Sequence, residues 1–189
     1  MKKFLSTVVM SLAVLTGFNA HAEETKMSNT KTLVAYFSAT GTTAKVATNL
    51  AQTIGADLFE IKPEQPYTDA DLNWRDDSSR SSVEMKDLNS RPAIASKVED
   101  MAKYDTVFVG FPIWWYREPS IIDTFLESYD FAGKKIVPFA TSGSSGMGKS
   151  SEIMQKLVPN AKVTEGKRFP ADATKDELKS WGSEHLAAE

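Results

Sequence analysis

The sequence predicts a doubly wound α/β domain: a five-stranded parallel sheet of order 2-1-3-4-5, between two layers of helices. Three observations carry this expectation. Near-continuous apolar runs at TLVAYF (32–37), TVFVGF (106–111) and IVPFA (136–140) are the pattern of strands covered on both faces. Segments with apolar residues at helical spacing separate the strands, giving a β-α alternation. Two further strand segments, DLFEIK (57–62) and AKVTEGKRF (161–169), mix polar and apolar residues as sheet edges do. Strands two and five are therefore edges. A 3-2-1-4-5 order would bury the polar second strand, whereas 2-1-3-4-5 leaves it outside and puts the ligand at the switch point between strands one and three.

Each element has its own local reason. After the first strand, Val46, Leu50 and Ile54 recur at i, i+4, i+8, and Gly55 stops the helix. The stretch 63–91 is long for a plain loop; Thr68-x-x-Asp71 is placed to cap a short helix within it, and Trp74 gives it an apolar group to bury. Ile94, Val98 and Met101 after Pro92 predict the second helix. Ile121, Ile122, Phe125 and Leu126 after Pro119 predict the third. Pro138 is awkward within the fourth strand because proline cannot donate to a ladder. Ile153, Met154 and Leu157 mark the fourth helix, and Thr174-x-x-Glu177 is a capping box for a last helix with Leu178, Trp181 and His185 on one face.

The first 22 residues stand apart. Lys2 and Lys3 precede an apolar run from Phe4 to Phe18, and Ala20-His21-Ala22 supplies a small-x-small cleavage pattern. This is the pattern of a secretory signal peptide, and the run is shorter than the roughly 20 residues of a membrane helix. The expected organisation is a signal peptide (1–22), a flexible polar lead-in (23–30) and one domain (31–189), with a periplasmic location and no stable membrane insertion after cleavage. The chain has no cysteine, which excludes both a lipidated cysteine anchor and a disulfide framework. It has no twin arginine before the apolar run, which favours export of an unfolded chain. A net charge of −3 without a basic cluster argues against nucleic acid as a partner.

Three loops at the carboxyl ends of the strands carry the chemistry. Ser38-Ala39-Thr40-Gly41-Thr42-Thr43 joins the first strand to its helix, and helix amides with surrounding hydroxyls make an anion cradle. With no lysine in the turn, it suits a terminal phosphate monoester better than a triphosphate. After the third strand, Pro112-Ile113-Trp114-Trp115-Tyr116 presents three successive aromatics, expected to stack on a planar ligand while at least one plugs the sheet end. After the fourth, Thr141-Ser142-Gly143-Ser144-Ser145-Gly146 offers small residues that let backbone approach a flat ring. No His, Asp and Glu cluster has metal spacing, and no serine has a plausible base partner.

YFSATGTTAKVA (36–47), VGFPIWWYREP (109–119) and FATSGSSGMG (139–148) together resemble the flavodoxin-like FMN proteins, most closely those with a P-x-W-W loop, over residues 31–189. The resemblance implies FMN as cofactor, with its phosphate on Ser38, Thr40, Gly41, Thr42 and Thr43. It implies flavin contacts from Pro112, Ile113, Trp114, Trp115 and Tyr116, and from Thr141, Ser142, Gly143 and Gly146. It further implies electron transfer between a protein or small-molecule donor and acceptor. Arg117 departs from the acidic loops of many carriers; beside the flavin it would stabilise the anionic reduced state, against the alternative of an exposed pair with Glu118.

Four functions compete. An exported electron carrier is favoured over an NAD(P)H or quinone reductase, because pyridine nucleotides are not expected outside the cytoplasm in useful amounts. GSSGMGKS (143–150) matches the nucleotide-binding pattern G-x-x-x-x-G-K-[ST], but it follows the fourth strand rather than the first, and no acidic Mg²⁺ strand accompanies it. A flavin-free binding module that kept only the fold is the remaining reading.

Overall fold

The computed structural model describes residues 31–186, so the expected signal peptide and lead-in lie outside the described residues. The apolar runs become the inner strands: β1 (Lys31–Tyr36), β3 (Tyr104–Pro112) and β4 (Lys135–Thr141). β2 (Asp57–Glu60) pairs in parallel with β1 from Leu33↔Asp57 to Tyr36↔Glu60, and β1 pairs with β3 on its other side. β3 pairs with β4 from Thr106↔Lys135 to Pro112↔Thr141. The sheet order is β2-β1-β3-β4-β5, as the edge polarity predicts.

The fifth strand is split. β5 (Lys162–Val163) and β6 (Lys167–Phe169) both lie parallel to β4, with residues 164–166 between them. Pro138 explains the gap. Thr164 donates to the Ile136 carbonyl at 2.9 Å, so residue 136, and with it residue 138 two positions on, faces this edge. The proline's missing N–H thus falls where the edge strand is interrupted, and its register with Val109 of β3 is kept.

Successive β3 residues feed opposite layers of core, as a pleat requires. Val107, Val109 and Phe111 join Phe37, Ile122 and Phe125 on one face, covered by α3 (Ser120–Glu127) and α4 (Ser150–Leu157). Phe108 joins Val34, Leu50, Phe139 and Trp181 on the other, covered by α1 (Thr42–Ile54) and α5 (Lys175–Leu186). Thr174 caps α5 by accepting from the Glu177 amide at 3.2 Å. His185 lies 5.0 Å from the Trp181 ring and is packed beside it. No helix among the described residues is long and apolar enough to cross a membrane.

The helix expected after Pro92 is absent; α2 (Arg80–Lys86) is a short helix inside the 63–91 stretch, capped by Ser79 rather than by Thr68. Residues 93–95 are extended instead. Glu64 donates to the Ala93 carbonyl at 2.9 Å and Ala95 to the Lys62 carbonyl at 2.8 Å, which takes up backbone groups a helix would use. Ile94 and Val98 still pack on the core, so their helical spacing recorded burial rather than helix. Only a single 3₁₀ turn, Met101–Lys103, precedes β3. Thr68 and Asp71 close a turn rather than start a helix, and Trp74, expected to be buried, is 65% exposed.

Candidate functional site

A cleft of about 940 Å³ opens beyond the carboxyl ends of β1, β3 and β4. Thr40, Thr42, residues 112–116, Thr141, Ser142 and Gly143 line it, together with Leu72, Trp74 and Ser81 from the long connection. The topology places it at the switch between β1 and β3, where doubly wound sheets take ligands.

The first loop is shaped by Gly41. Its φ of +86° is left-handed, and its amide donates to Ser38 Oγ at 3.1 Å. The chain then enters α1 without a side-chain cap, and the first turn contains no acidic residue. Helical hydrogen bonding leaves the first amides of α1 without intrahelical acceptors, and the helix dipole adds positive potential there. Thr40 and Thr42 stand at the cleft. Thr43 is buried instead, and its hydroxyl meets that of Thr141 at 2.8 Å. The expected cradle therefore divides: Ser38 braces the turn, Thr43 ties it to β4, and Thr40 and Thr42 face the open space.

The aromatic loop is a tight hairpin. Trp114 donates to the Arg117 carbonyl at 2.9 Å and Arg117 returns a bond to Trp114 at 3.1 Å. Trp115 and Tyr116 occupy the two central positions with φ of +46° and +65°. Such positions favour Asn-Gly, and bulky residues there cost on the order of 1–3 kcal/mol each. Neighbouring contacts hold the turn: Ile113 donates to the Thr141 carbonyl at 3.1 Å, and the Tyr116 carbonyl accepts from Lys149 at 3.1 Å. Trp114 turns inward, edge-on to Phe37 and Tyr67 at 5.6 and 5.3 Å. Trp115 and Tyr116 remain exposed on the cleft. One aromatic thus plugs the sheet end and two stand exposed at the cleft.

In the fourth loop, Gly143 lines the cleft and Gly146 does not. Ser142 Oγ bonds to the Ser145 carbonyl, and Arg168 donates to the Ser142 carbonyl at 3.1 Å. The nucleotide-like pattern is absorbed internally. The Lys149 amide serves Tyr116, and the Ser150 amide serves Met147 at 3.2 Å. Two backbone donors that a phosphate-binding loop would turn outward are therefore already occupied.

Arg117 pairs with Glu118 as one expectation has it, but the pair is buried rather than exposed. Its guanidinium donates to Glu118 at 3.0 Å and to Asp123 at 2.5 Å, with both carboxylates buried. Arg91 approaches Asp123 at 3.8 Å and bonds to Glu127 at 2.7 Å. One oxygen of each buried carboxylate, Glu118 Oε2 and Asp123 Oδ1, has no hydrogen-bond partner. Burial pushes Glu118 up to about 7 and Asp123 also upward, while Arg117 pulls both back only in part. The cluster lies directly behind the aromatic hairpin in sequence and anchors its base.

Leu72 and Ser81 went unnoticed in the sequence as cleft residues. An unpaired tryptophan in a polar stretch was the one hint that this connection reaches the site. No group of His, Cys, Asp and Glu that could hold a metal occurs among the described residues. The arrangement suits a phosphate monoester at the start of α1 and a flat ring beside Trp115 and Tyr116.

A flavodoxin family model matches residues 31–185. A candidate flavoprotein from Bacteroides eggerthii is 48% identical, covering 85% of this chain and all of its own, with a TM-score of 0.79. A second, from Bacteroides uniformis, is 50% identical over 80% of this chain and 97% of its own, with a TM-score of 0.77. A Lactobacillus acidophilus flavoprotein in complex with FMN shares the fold at 23% identity, covering 80% of this chain and 98% of its own, with a TM-score of 0.62. No curated protein matches the chain.

Proposed function

This chain belongs to the flavodoxin family, and on that footing we propose that it is an exported FMN-binding redox protein that transfers electrons between a donor and an acceptor. One observation carries the reading: the uncapped start of α1 and the Trp115–Tyr116 hairpin open on the same cleft. In that site the α1 amides with Thr40 and Thr42 hold the phosphate, because a helix N-terminus favours an anion and both hydroxyls can donate. Trp115 and Tyr116 flank the ring, while Thr141, Ser142 and Gly143 let backbone approach its edge. Bound FMN supplies one- and two-electron chemistry. The polypeptide binds and orients it and screens one side from water.

The FMN-containing relative and two closely similar candidate flavoproteins support the cofactor. The signal-peptide pattern at residues 1–22 supports a periplasmic location. A periplasmic setting, poor in pyridine nucleotides, favours a carrier fed by a protein donor over an NAD(P)H-driven enzyme.

Titration of the mature chain with FMN and with riboflavin tests the proposal. FMN is expected to bind about 100-fold more tightly, roughly 2.7 kcal/mol, because riboflavin lacks the phosphate. Equal affinities would remove the phosphate from α1, and no flavin uptake at micromolar protein would defeat the reading. Anaerobic NADPH is expected to leave the bound flavin oxidised; prompt bleaching would make the protein an autonomous reductase. Cell fractionation that recovers the chain with its N-terminal segment uncleaved in the cytoplasm would defeat export.

A further inference from the structure

Glu118 and Asp123 are buried carboxylates, 0% and 2% exposed, that the binding of a cofactor leaves unused. One guanidinium nitrogen of Arg117 reaches both, at 3.0 and 2.5 Å, and so draws two like charges to one point. The two carboxyls come within hydrogen-bonding reach of each other, yet Glu118 Oε2 and Asp123 Oδ1 have no partner. An ionised carboxylate only accepts, so two of them bond to each other only through a proton. A buried pair of like charges relieves its repulsion in the same way, with one proton held between two sites.

The surrounding groups point to the same count. Arg91, bonded to Glu127 at 2.7 Å, stands 3.8 Å from Asp123. Arg117 and Arg91 thus face three carboxylates, Glu118, Asp123 and Glu127, and a single proton makes this cluster neutral. Asp87 adds only an exposed charge on the side of Arg91. From α4, Ser150 brings Glu118 a buried hydroxyl and no charge. From α2, the Glu84 carboxylate is already held by Arg80 at 2.7 Å. The Arg117 side chain is 12% exposed, which leaves the cluster a narrow contact with water by which a proton arrives.

Glu118 comes two residues after Tyr116, and Ser150 follows Lys149, whose amide holds the Tyr116 carbonyl at 3.1 Å. Short stretches of backbone therefore tie the pair to the hairpin that lines the cleft. Negative charge gained in the cleft raises the proton affinity of a nearby carboxylate, the more so where protein replaces water. We propose that Glu118 and Asp123 are a proton-sharing pair that takes one proton from solvent when FMN in the cleft is fully reduced. The inference rests on the FMN reading and gives it a proton site apart from the flavin ring. Reduction of FMN to its fully reduced anion uses two electrons from the donor and one proton. A second proton forms an O–H bond on the pair, and both protons return to solvent when the acceptor removes the two electrons.

The test uses the FMN-loaded mature chain with ¹³C at glutamate Cδ, first oxidised and then reduced anaerobically with dithionite. Carbon NMR follows the Glu118 resonance, assigned through its backbone amide, against pH in both states. Its midpoint is expected to rise on reduction by about one pH unit, a tenfold gain in proton affinity. Equal midpoints would overturn the inference. In Asp123→Asn the midpoint of the oxidised form is expected to fall by about one unit, since a neutral amide neither repels the Glu118 charge nor competes for Arg117. An unchanged midpoint there would show that the two carboxyls do not share a proton. The comparison of redox states is made within the parent chain, so it decides the matter even where the variant fails to fold. No flavin uptake by the parent would instead defeat the FMN reading itself, before any titration.

Discussion

Gly148 lies so close to Tyr116 that a Cβ added to it would stand 1.8 Å from the Tyr116 carbonyl oxygen. The loop after β4 and the hairpin after β3 are thereby locked together, and the Lys149 amide bonds to the same oxygen. Gly148 also has φ of +57°, so both space and backbone exclude a side chain. Gly148→Ala is expected to cost at least about 2 kcal/mol, lowering Tm by roughly 4–8 °C. Gly146→Ala, with open space around its Cβ, is expected to stay within about 0.5 kcal/mol. Thermal unfolding of the two variants checks the contrast.

Thr43 and Thr141 join the start of α1 to the end of β4 through their hydroxyls. Thr141→Val leaves the buried Thr43 hydroxyl unpaired and is expected to destabilise by about 1–2 kcal/mol. The double variant with Thr43→Val should cost less than the sum of the singles, because both polar partners are then gone. A double-mutant cycle in urea measures the coupling; strict additivity would deny the bond any energetic role.

Arg117 is the cation nearest two buried carboxylates. Arg117→Gln is expected to destabilise by about 3–5 kcal/mol at pH 8, since it strands negative charge in the interior. The loss should shrink toward pH 5, where Glu118 takes up a proton. Denaturant midpoints at the two pH values decide this; an equal loss at both would mean the guanidinium does not act through these carboxylates.

Glu118 gives the native protein its own pH slope. Its native pKa of about 7 lies above the ordinary 4.5, so between these values the native state holds a proton that the unfolded chain has lost. Its contribution to stability is fully present below about pH 4.5, falls as pH rises, and is gone above about pH 7. Asp123, shifted in the same direction, adds to the slope. Glu118→Gln should flatten the fall in Tm between pH 5 and pH 8. An unchanged profile would show that Glu118 is not the group responsible.

The sheet order was legible because it depends on which strands are apolar throughout, a property that composition records directly. Loop positions at the strand ends followed from the same order. The second helix was not legible: the spacing of Ile94, Val98 and Met101 suits a helix, yet the backbone there pairs with residues 62–64. Tertiary pairing overrode a local pattern. The burial of the Arg117–Glu118 pair was hidden for a related reason, since nothing local reveals that Asp123, one turn into α3, also meets the guanidinium. The exposure of Trp74 was equally hidden, because burial depends on where an arm of chain comes to rest.

Pro138 has a consequence for solubility. The last edge of the sheet consists of a two-residue and a three-residue strand, bearing Lys162, Lys167 and Arg168, broken opposite the proline. A neighbouring molecule seeking to extend the sheet would find no long row of free amides and carbonyls there. Among many copies folding side by side, such an edge discourages strand exchange and aggregation. An imperfection inside one strand thus becomes protection for the whole molecule against its own kind.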